Sequence, residues 1–219
     1  MKMLKAIFID HMGTLVYEQS EYLEALLKKC VEHSDEKDPQ KIADLWQKKH
    51  DALLKKYNGE NFKKEYDIVL EAFDDLKAEI NLEGDSHEYC DLLVQHWLHT
   101  PAYDDAYDFF EQCPLPIYII TNNDTCYVEE SMKLLELKPK GIISSETTHY
   151  YKPAKEMFEK ALAITKLNAD EAIYIGDSLN KDMEAAKAVG IRAFLIGKEK
   201  TDDPDIQSLE SLLDVFQYL

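Results

Sequence analysis

Carboxylates in two separate segments of the chain have the types and spacing of a covalent, metal-assisted catalytic site. Asp10 follows the apolar run AIFI, and a Gly-Thr turn at Gly13 and Thr14 comes soon after it. A carboxylate in such a position can attack phosphorus or carbon and form a covalent intermediate. The segment GDSLNKD adds Asp177 and Asp182, which could hold a hard cation such as Mg²⁺ together with Asp10, because this ion prefers oxygen ligands.

Further candidate groups lie near two other segments. Thr121 and Asn122 follow the apolar run IYII, and the Thr121 hydroxyl with neighbouring main-chain N–H groups suits a transferring phosphoryl oxygen. Lys152 precedes Pro153, which we expect to be the first residue of a helix. A lysine at that point is expected to act as a point charge on a phosphate or on Asp10.

Short apolar runs of one kind must position these groups. AIFI, IYII and AIYI, at 6–9, 117–120 and 172–175, are continuous and rich in β-branched or aromatic residues. This pattern is typical of strands buried on both faces of a parallel sheet. The runs at 141–145 and 192–196 predict two further strands. Because the carboxyl ends of such strands open onto one crevice, residues far apart in sequence are expected to meet there.

The segment between the first two predicted strands has a different pattern. Residues 17–100 contain four stretches with apolar residues at helical spacing, separated by the turn dipeptides DP, NG and GD. The sequence therefore predicts an inserted α-helical bundle at 17–100 and an α/β core formed by 1–16 and 101–219. Because the insert joins the core close to the strand ends, we expect it to act as a lid over the crevice.

The composition restricts the partners and the location of the protein. A chain of 219 residues with 45% hydrophobic residues can bury a sizeable core, and its formal net charge of −18 disfavours nucleic acid and anionic membranes as partners. The four cysteines have no zinc-site spacing, and no apolar run approaches the roughly 18 residues of a membrane span. We therefore expect a cytoplasmic protein that acts on a small molecule and binds neither nucleic acid nor membranes.

The order of the motifs resembles that of the haloacid dehalogenase (HAD) superfamily, most of whose members are Mg²⁺-dependent phosphatases. The patterns D-x-x-G-T, hhhhTN, KP and hhhhGDSxxxD, where h is an apolar residue, occur in that order and in compatible structural contexts. The core motifs cover 1–16 and about 100–219, and the insert looks like the helical cap of that superfamily. The resemblance implies a doubly wound, Rossmann-like parallel sheet that carries this cap.

The resemblance also implies roles for individual residues. It makes Asp10 the nucleophile, which would form an aspartyl-phosphate, and makes Lys152 its catalytic partner. The expected ligands of Mg²⁺ are Asp10, Met12 through its carbonyl, Asp177 and Asp182. The expected phosphate-binding residues are Thr121, Asn122, Lys152, Gly13 and Thr14.

Met12 departs from the phosphatase pattern. In phosphatases of this superfamily the position usually holds a second aspartate, which protonates the leaving oxygen and then activates water. Methionine can do neither, and losing a general acid–base costs about 10²–10⁴ in rate. The loss matters least for a leaving group that needs no proton, as in an acyl phosphate or an activated aryl phosphate. His11 has a suitable ordinary pKa, but neighbouring side chains on an extended segment point to opposite faces.

The leading prediction is a hydrolase, specifically a phosphatase of a small phosphorylated metabolite, and two other readings stay open. The first alternative is another hydrolase that forms a covalent intermediate on Asp10, such as a dehalogenase or a phosphonatase. However, the dehalogenases of the superfamily use a cap arginine, whereas the only arginine here is Arg192 in the core, and nothing singles out a Schiff-base lysine of the phosphonatase kind. The second is a binding or regulatory protein that keeps the metal site but has little turnover.

Overall fold

The computed structural model describes residues 3–219, which divide into two compact units. The core unit consists of the chain up to Glu18 together with Pro101–Leu219, and the insert unit consists of Gln19–Thr100. The predicted ranges are 1–16 with 101–219 for the core and 17–100 for the insert. Their first boundary, after residue 16, lies slightly before the boundary after Glu18 in the structure. Residues 1–2 of the predicted core lie outside the described residues.

The core unit is built on a parallel sheet. In residues 3–219 the strands are β1 (Ala6–Ile9), β2 (Ile117–Thr121), β3 (Gly141–Ser144), β4 (Ala172–Gly176), β5 (Arg192–Ile196) and β6 (Gln207–Leu209). They form one sheet in the order β3-β2-β1-β4-β5-β6, and every neighbouring pair is parallel. This is the strand order of a doubly wound, Rossmann-like sheet, so the predicted fold class is confirmed.

The insert unit is helical. Its helices within the described residues are α1 (Glu21–Glu32), α2 (Pro39–Lys56), α3 (Glu65–Ile80) and α4 (Ser86–His99), with a 3₁₀ turn at Gly59–Asn61. Side chains at three helix starts accept hydrogen bonds from the first turn: Ser20 at α1, Asp38 at α2 and Asp85 at α4. Among residues 3–219, no helix combines the length and the apolar character that crossing a membrane requires.

Helices cover both faces of the sheet. Those of the core unit are α5 (Asp104–Gln112), α6 (Thr125–Leu134), α7 (Ser145–Thr148), α8 (Lys155–Thr165) and α9 (Glu184–Ala188), with 3₁₀ segments at Ala169–Glu171 and Leu212–Tyr218. Helices α5 and α6 pack with Ile7 and Ile9 of β1, whereas α8 and α9 pack with Ala6 and Phe8. Successive residues of β1 thus enter different apolar clusters, which explains its continuous apolar run.

Two details of the core differ from the sequence prediction. The helix expected to begin at Pro153 begins at Lys155, because the Ala154 N–H donates to the Tyr151 carbonyl (2.8 Å) and closes a turn before the helix. The short strand β6 was not predicted, because QSL contains a single apolar residue and no β-branched one.

The chain leaves and re-enters the core unit at neighbouring positions. The Tyr17 N–H donates to the Pro101 carbonyl at 3.1 Å, and the Tyr103 N–H donates to the Leu15 carbonyl at 3.0 Å. The rings of Tyr17 and Tyr103 lie 4.1 Å apart between centroids. The segments before and after the insert therefore form a short, hydrogen-bonded antiparallel neck.

Candidate active site

Asp10 lies at the point where the strand order of the sheet reverses. It directly follows β1, and its N–H donates to the carbonyl of Ile175 on β4 at 2.9 Å. Its carboxylate accepts from the His11 N–H at 2.7 Å, and the residue is only 8% exposed. Ligands of doubly wound sheets bind at this switch point, beyond the carboxyl ends of the strands.

Two further carboxylates meet Asp10 there. Asp177 directly follows β4, and Asp182 lies in a π-helical turn at Leu179–Met183. One oxygen from each of the three aspartates lies within 4.8 Å of the others. The Ser178 N–H donates to Asp182 Oδ2 at 3.1 Å, which orients this buried carboxylate. The structure thus brings together the three aspartates that the sequence predicted as metal ligands.

Two glycines make this approach sterically possible. Gly13 has φ +86°, and a Cβ atom at this position would overlap the carboxylate of Asp177. A Cβ atom on Gly176 would lie 2.6 Å from Asp182 Cγ. Gly13 therefore needs to be glycine both for its left-handed backbone and for the space beside it.

Lys152 supplies the positive charge of the site. Its Nζ lies 2.6 Å from Asp10 Oδ1 and 2.7 Å from Asp182 Oδ1, and the side chain is almost fully buried. Asn122 holds the lysine through the main chain: its Oδ1 accepts from the Lys152 N–H at 2.7 Å, and its Nδ2 donates to the Lys152 carbonyl at 3.3 Å. The Asn122 side chain, which was predicted to bind phosphate, thus positions Lys152.

The electrostatics of the site favour an added cation. Burial raises the pKa of Asp10 to about 6, although the ammonium of Lys152 acts in the opposite direction. Burial, together with repulsion by Asp10 and Asp182, raises the pKa of Asp177 to about 8. Burial alone would lower the pKa of Lys152, but the charges of Asp10 and Asp182 raise it above its ordinary value. One ammonium thus faces three carboxylates.

This donor set fits a hard divalent cation. All three aspartates offer oxygen atoms, the ligand type of Mg²⁺, and a positive ion would relieve the repulsion that raises the pKa of Asp177. Asp10, Asp177 and Asp182 would hold such an ion, with the Met12 carbonyl as a further candidate ligand. When bound, the ion would neutralise negative charge on a transferring group.

Besides Lys152 and Asn122, the predicted phosphate-binding residues are Thr121, the last residue of β2, and Gly13 and Thr14 in the loop after β1. Thr121 is buried, and its Oγ1 accepts from the Asn123 N–H at 3.2 Å. Thr14 is also buried, and its hydroxyl has no hydrogen-bond partner among residues 3–219. The Gly13 N–H donates to the Val16 carbonyl at 2.8 Å, so this group serves the turn itself.

Met12 occupies the position at which the chain departs from the phosphatase pattern, and His11 is the neighbouring residue considered as a substitute acid. The Met12 side chain is half-buried and packs against the apolar cluster that contains Leu15 and Val16. His11 is fully buried. The side chain that follows Asp10 by two residues is therefore apolar and cannot transfer a proton.

Sequence reasoning missed Tyr174. Its hydroxyl donates to Asp182 Oδ1 at 2.5 Å and lies 3.2 Å from Lys152 Nζ. One signal was available: residues two apart in a strand share a face, so Tyr174 lies on the same face as Gly176, whose missing side chain leaves room for Asp182.

A small cavity of about 120 Å³ adjoins the acidic cluster within the core unit; it is lined by Gly13, Glu18, Tyr103, Asp177, Gly197, Lys198 and Glu199. Lys198 Nζ lies 3.8 Å from a carboxylate oxygen of Glu18. The cavity therefore has a charged lining next to Asp177.

A Rossmann-like sheet with an acidic cluster and a buried lysine at its switch point agrees with the predicted class of protein, the haloacid dehalogenase-like hydrolases. The model of this family matches residues 4–190, so the chain belongs to it. The predicted family is thus confirmed.

The curated relatives include named phosphatases. The chain is 31% identical over 115 residues to glyceraldehyde 3-phosphate phosphatase from Methanocaldococcus jannaschii. This match covers 48% of the present chain and 50% of that protein. It is 27% identical over 122 residues to ribulose-1,5-bisphosphate 5-phosphatase from Halopiger xanaduensis. This match covers 52% of the present chain and 49% of that protein. The chain thus spans about half the length of the curated relatives that it matches.

Solved structures match over nearly the whole chain. The L-2-haloacid dehalogenase from Xanthobacter autotrophicus with covalently bound chloropropionic acid has a TM-score of 0.78 and 16% identity, and the match covers 98% of both chains. The HAD hydrolase YfnB from Bacillus subtilis bound to magnesium has a TM-score of 0.76 and 20% identity, and the match covers 100% and 99%. At these identities the likeness concerns the fold.

Proposed function

We propose that the protein is a Mg²⁺-dependent phosphatase that acts on a small phosphorylated metabolite through an aspartyl-phosphate on Asp10. The observation that carries this proposal is the position of Asp10 Oδ1, 2.6 Å from Lys152 Nζ and within the cluster that includes Asp177 and Asp182. The names of the two phosphatase relatives support phosphate as the transferred group.

In the proposed reaction, a carboxylate oxygen of Asp10 attacks phosphorus, and the bond to the leaving oxygen breaks with its electron pair on that oxygen. Lys152 keeps Asp10 ionised and offers positive charge to the phosphoryl oxygens. Thr121 and Thr14 are proposed to donate hydroxyl hydrogen bonds to the same group. Water then attacks phosphorus and gives up a proton to the solvent, and the bond between phosphorus and the Asp10 oxygen breaks with its electron pair on that oxygen, which releases inorganic phosphate and the Asp10 carboxylate.

Met12 sets the class of leaving group in this proposal. Because its side chain cannot protonate the leaving oxygen, the favoured substrates are acyl phosphates or aryl phosphates whose leaving groups are stable as anions. We also propose that residues 17–100 act as a cap that selects among these substrates. The cytoplasm is the proposed location, where Cys30 and Cys90 would remain the free thiols they are in the fold.

The test is hydrolysis of acetyl phosphate and p-nitrophenyl phosphate with and without Mg²⁺. We expect turnover that requires Mg²⁺ and disappears in Asp10→Asn, a variant of nearly the same shape without a nucleophilic carboxylate. Turnover that survives in Asp10→Asn, or that EDTA does not reduce, would contradict the proposal.

Met12 also favours a second candidate, a protein that binds a phosphorylated ligand with little turnover. This alternative predicts that neither the wild type nor Met12→Asp hydrolyses any member of a broad phosphate panel. It also predicts Mg²⁺-dependent binding of beryllium fluoride, a phosphate mimic, which Asp10→Asn would abolish.

A further inference from the structure

The Tyr174 hydroxyl lies between Lys152 and Asp182. It donates to Asp182 Oδ1 at 2.5 Å, and Lys152 Nζ donates to the Tyr174 oxygen at 3.2 Å. Lys152 Nζ also donates to the same Asp182 oxygen at 2.7 Å. The three polar groups therefore form a closed triangle of hydrogen bonds, and all three side chains are buried.

The sheet fixes the position of this hydroxyl. Tyr174 is in the middle of β4, is fully buried and packs edge-on against Phe158, with ring centroids 4.9 Å apart. Lys152 and Asp182, by contrast, come from a loop and from a π-helical turn. Groups on strands hold their positions better than groups on loops, so the tyrosine is the rigid member of the triangle.

The triangle accounts for the direction of the Lys152 ammonium. An ammonium has three protons, and here its three partners are Asp182, Tyr174 and Asp10, the last at 2.6 Å. We propose that Tyr174 is a positioning residue whose hydroxyl holds Lys152 and Asp182 together and thereby fixes the ammonium beside Asp10. Its catalytic consequence rests on the proposed function, in which Asp10 is the nucleophile.

Tyr174→Phe tests the proposal because it removes only the hydroxyl. Tyr118→Phe is a matched control: Tyr118 on β2 and Tyr174 on β4 both pair in register with Phe8 on β1, so the three rings form one cross-strand row. Among the contacts of the described residues, the Tyr118 ring lies against Phe8, with centroids 6.0 Å apart.

The first measurement is a double-mutant cycle in the metal-free protein, read by urea unfolding in EDTA. Tyr174→Phe and Asp182→Ala should each raise the unfolding constant. In the double variant, the factor by which the unfolding constant rises should be about tenfold smaller than the product of the two single-variant factors. The reason is that both substitutions remove the same hydrogen bond. The cycle of Tyr118→Phe with Asp182→Ala should give the simple product. Independent effects in the Tyr174 cycle would overturn the proposal.

The second measurement is kinetic, with p-nitrophenyl phosphate and Mg²⁺. Tyr174→Phe should lower kcat about 10- to 100-fold and leave KM within about threefold, because it misplaces Lys152 without removing a substrate contact. Tyr118→Phe should change neither constant. An unchanged kcat in Tyr174→Phe, or an equal loss in both variants, would overturn the proposal. If the wild type has no turnover, the phosphatase proposal fails, and the unfolding cycle still decides the position of Tyr174.

Discussion

At the scale of single residues, the side chain at position 12 decides which proton transfers the site can make. Met12 lies in the loop that directly follows the Asp10 strand, and its side chain belongs to the apolar packing of that loop. Asp10, the proposed nucleophile, lies beside Lys152 and the acidic cluster without a proton donor at position 12. Under the proposed function, the reaction is therefore limited to substrates whose leaving group needs no proton.

Met12→Asp should restore the missing proton transfer. We expect kcat/KM for an alkyl phosphate such as glycerol phosphate to rise by about 10²-fold or more, because a general acid is worth about 10²–10⁴ in rate. The kcat/KM for acetyl phosphate should change little, since this constant covers only the steps up to the departure of a leaving group that needs no proton. Steady-state kinetics on both substrates checks this, with Met12→Asn as the control of similar size without a proton to give. Equal gains in the two variants would contradict the explanation.

Gly13→Ala should impair cation binding through its contact with Asp177. Its Cβ atom would overlap that carboxylate, so we expect Mg²⁺ affinity, measured by isothermal titration calorimetry, to fall by at least about tenfold.

Gly197→Ala is the matched control for this substitution. Gly197 also has a positive φ, +101°, but its Cβ atom would lie at an ordinary 3.7 Å from Asp177 Cβ. Both variants should lose about 1 kcal/mol of stability from backbone strain, and only Gly13→Ala should bind Mg²⁺ weakly. Equal losses of affinity would point to strain instead of the overlap.

The prominent site residues could be predicted because each lies next to a recognisable pattern. Asp10 and Asp177 directly follow apolar strands, and Lys152 precedes Pro153 shortly before α8. Tyr174 could not be predicted in the same way, because a tyrosine inside a buried strand has the pattern of a core residue. The side-chain bonds of Asn122 depend on a segment distant in sequence, which no local pattern reveals.

At the scale of elements, a buried histidine ties the two ends of the insert unit together. His96 of α4 has its Nδ1 2.8 Å from Ser20 Oγ at the start of α1 and 2.9 Å from Thr100 Oγ1 after the end of α4. It is only 5% exposed, and burial lowers its pKa from 6.5 to about 4. The neutral imidazole is thus the form that the fold requires.

The part of the stability that His96 contributes should therefore decrease as the pH is lowered through this window, against the raised pKa values of Asp10 and Asp177, which act in the opposite direction. Between pH 6.5 and about 4 the unfolded chain binds a proton at His96 that the folded chain excludes, so this contribution is complete above 6.5 and is lost on acidification. The full loss is about 3 kcal/mol.

Urea unfolding of the wild type and of His96→Gln from pH 7 to pH 4 measures this contribution. The stability difference between the two proteins should shrink by about that amount on acidification, because the glutamine cannot titrate, whereas His99→Gln in the last turn of the same helix should keep the wild-type profile. A difference between wild type and His96→Gln that stays constant from pH 7 to pH 4 would contradict the assignment to His96.

The elements that were predictable are those with a strong pattern. The strands from β1 to β5 have continuous apolar runs, and the helices from α1 to α4 have apolar residues at helical spacing between clear turn signals. Strand β6 is polar and short, and its place in the sheet depends on pairing with β5. Long-range pairing of this kind leaves no local trace in the sequence.

At the scale of the whole molecule, the net charge of −18 opposes the approach of an anionic substrate. Salt screens this repulsion, so kcat/KM for a phosphate substrate should rise roughly two- to fivefold between 20 and 200 mM KCl at saturating Mg²⁺. Tetramethylammonium chloride is the control and should have the same effect if screening is the cause. A rate that falls with both salts would indicate that local attraction at the site dominates.

The neck formed by Tyr17, Pro101, Tyr103 and Leu15 has a consequence for how this architecture can vary. Because the segments that lead out of and back into the core unit are hydrogen-bonded to each other, the insert unit begins and ends at nearly one point. An insert of different length or topology would therefore join the core unit at the same point, without shifting the loop that precedes it and carries the proposed nucleophile. Under the proposed function, the part that selects the substrate is thus exchangeable independently of the part that performs the chemistry.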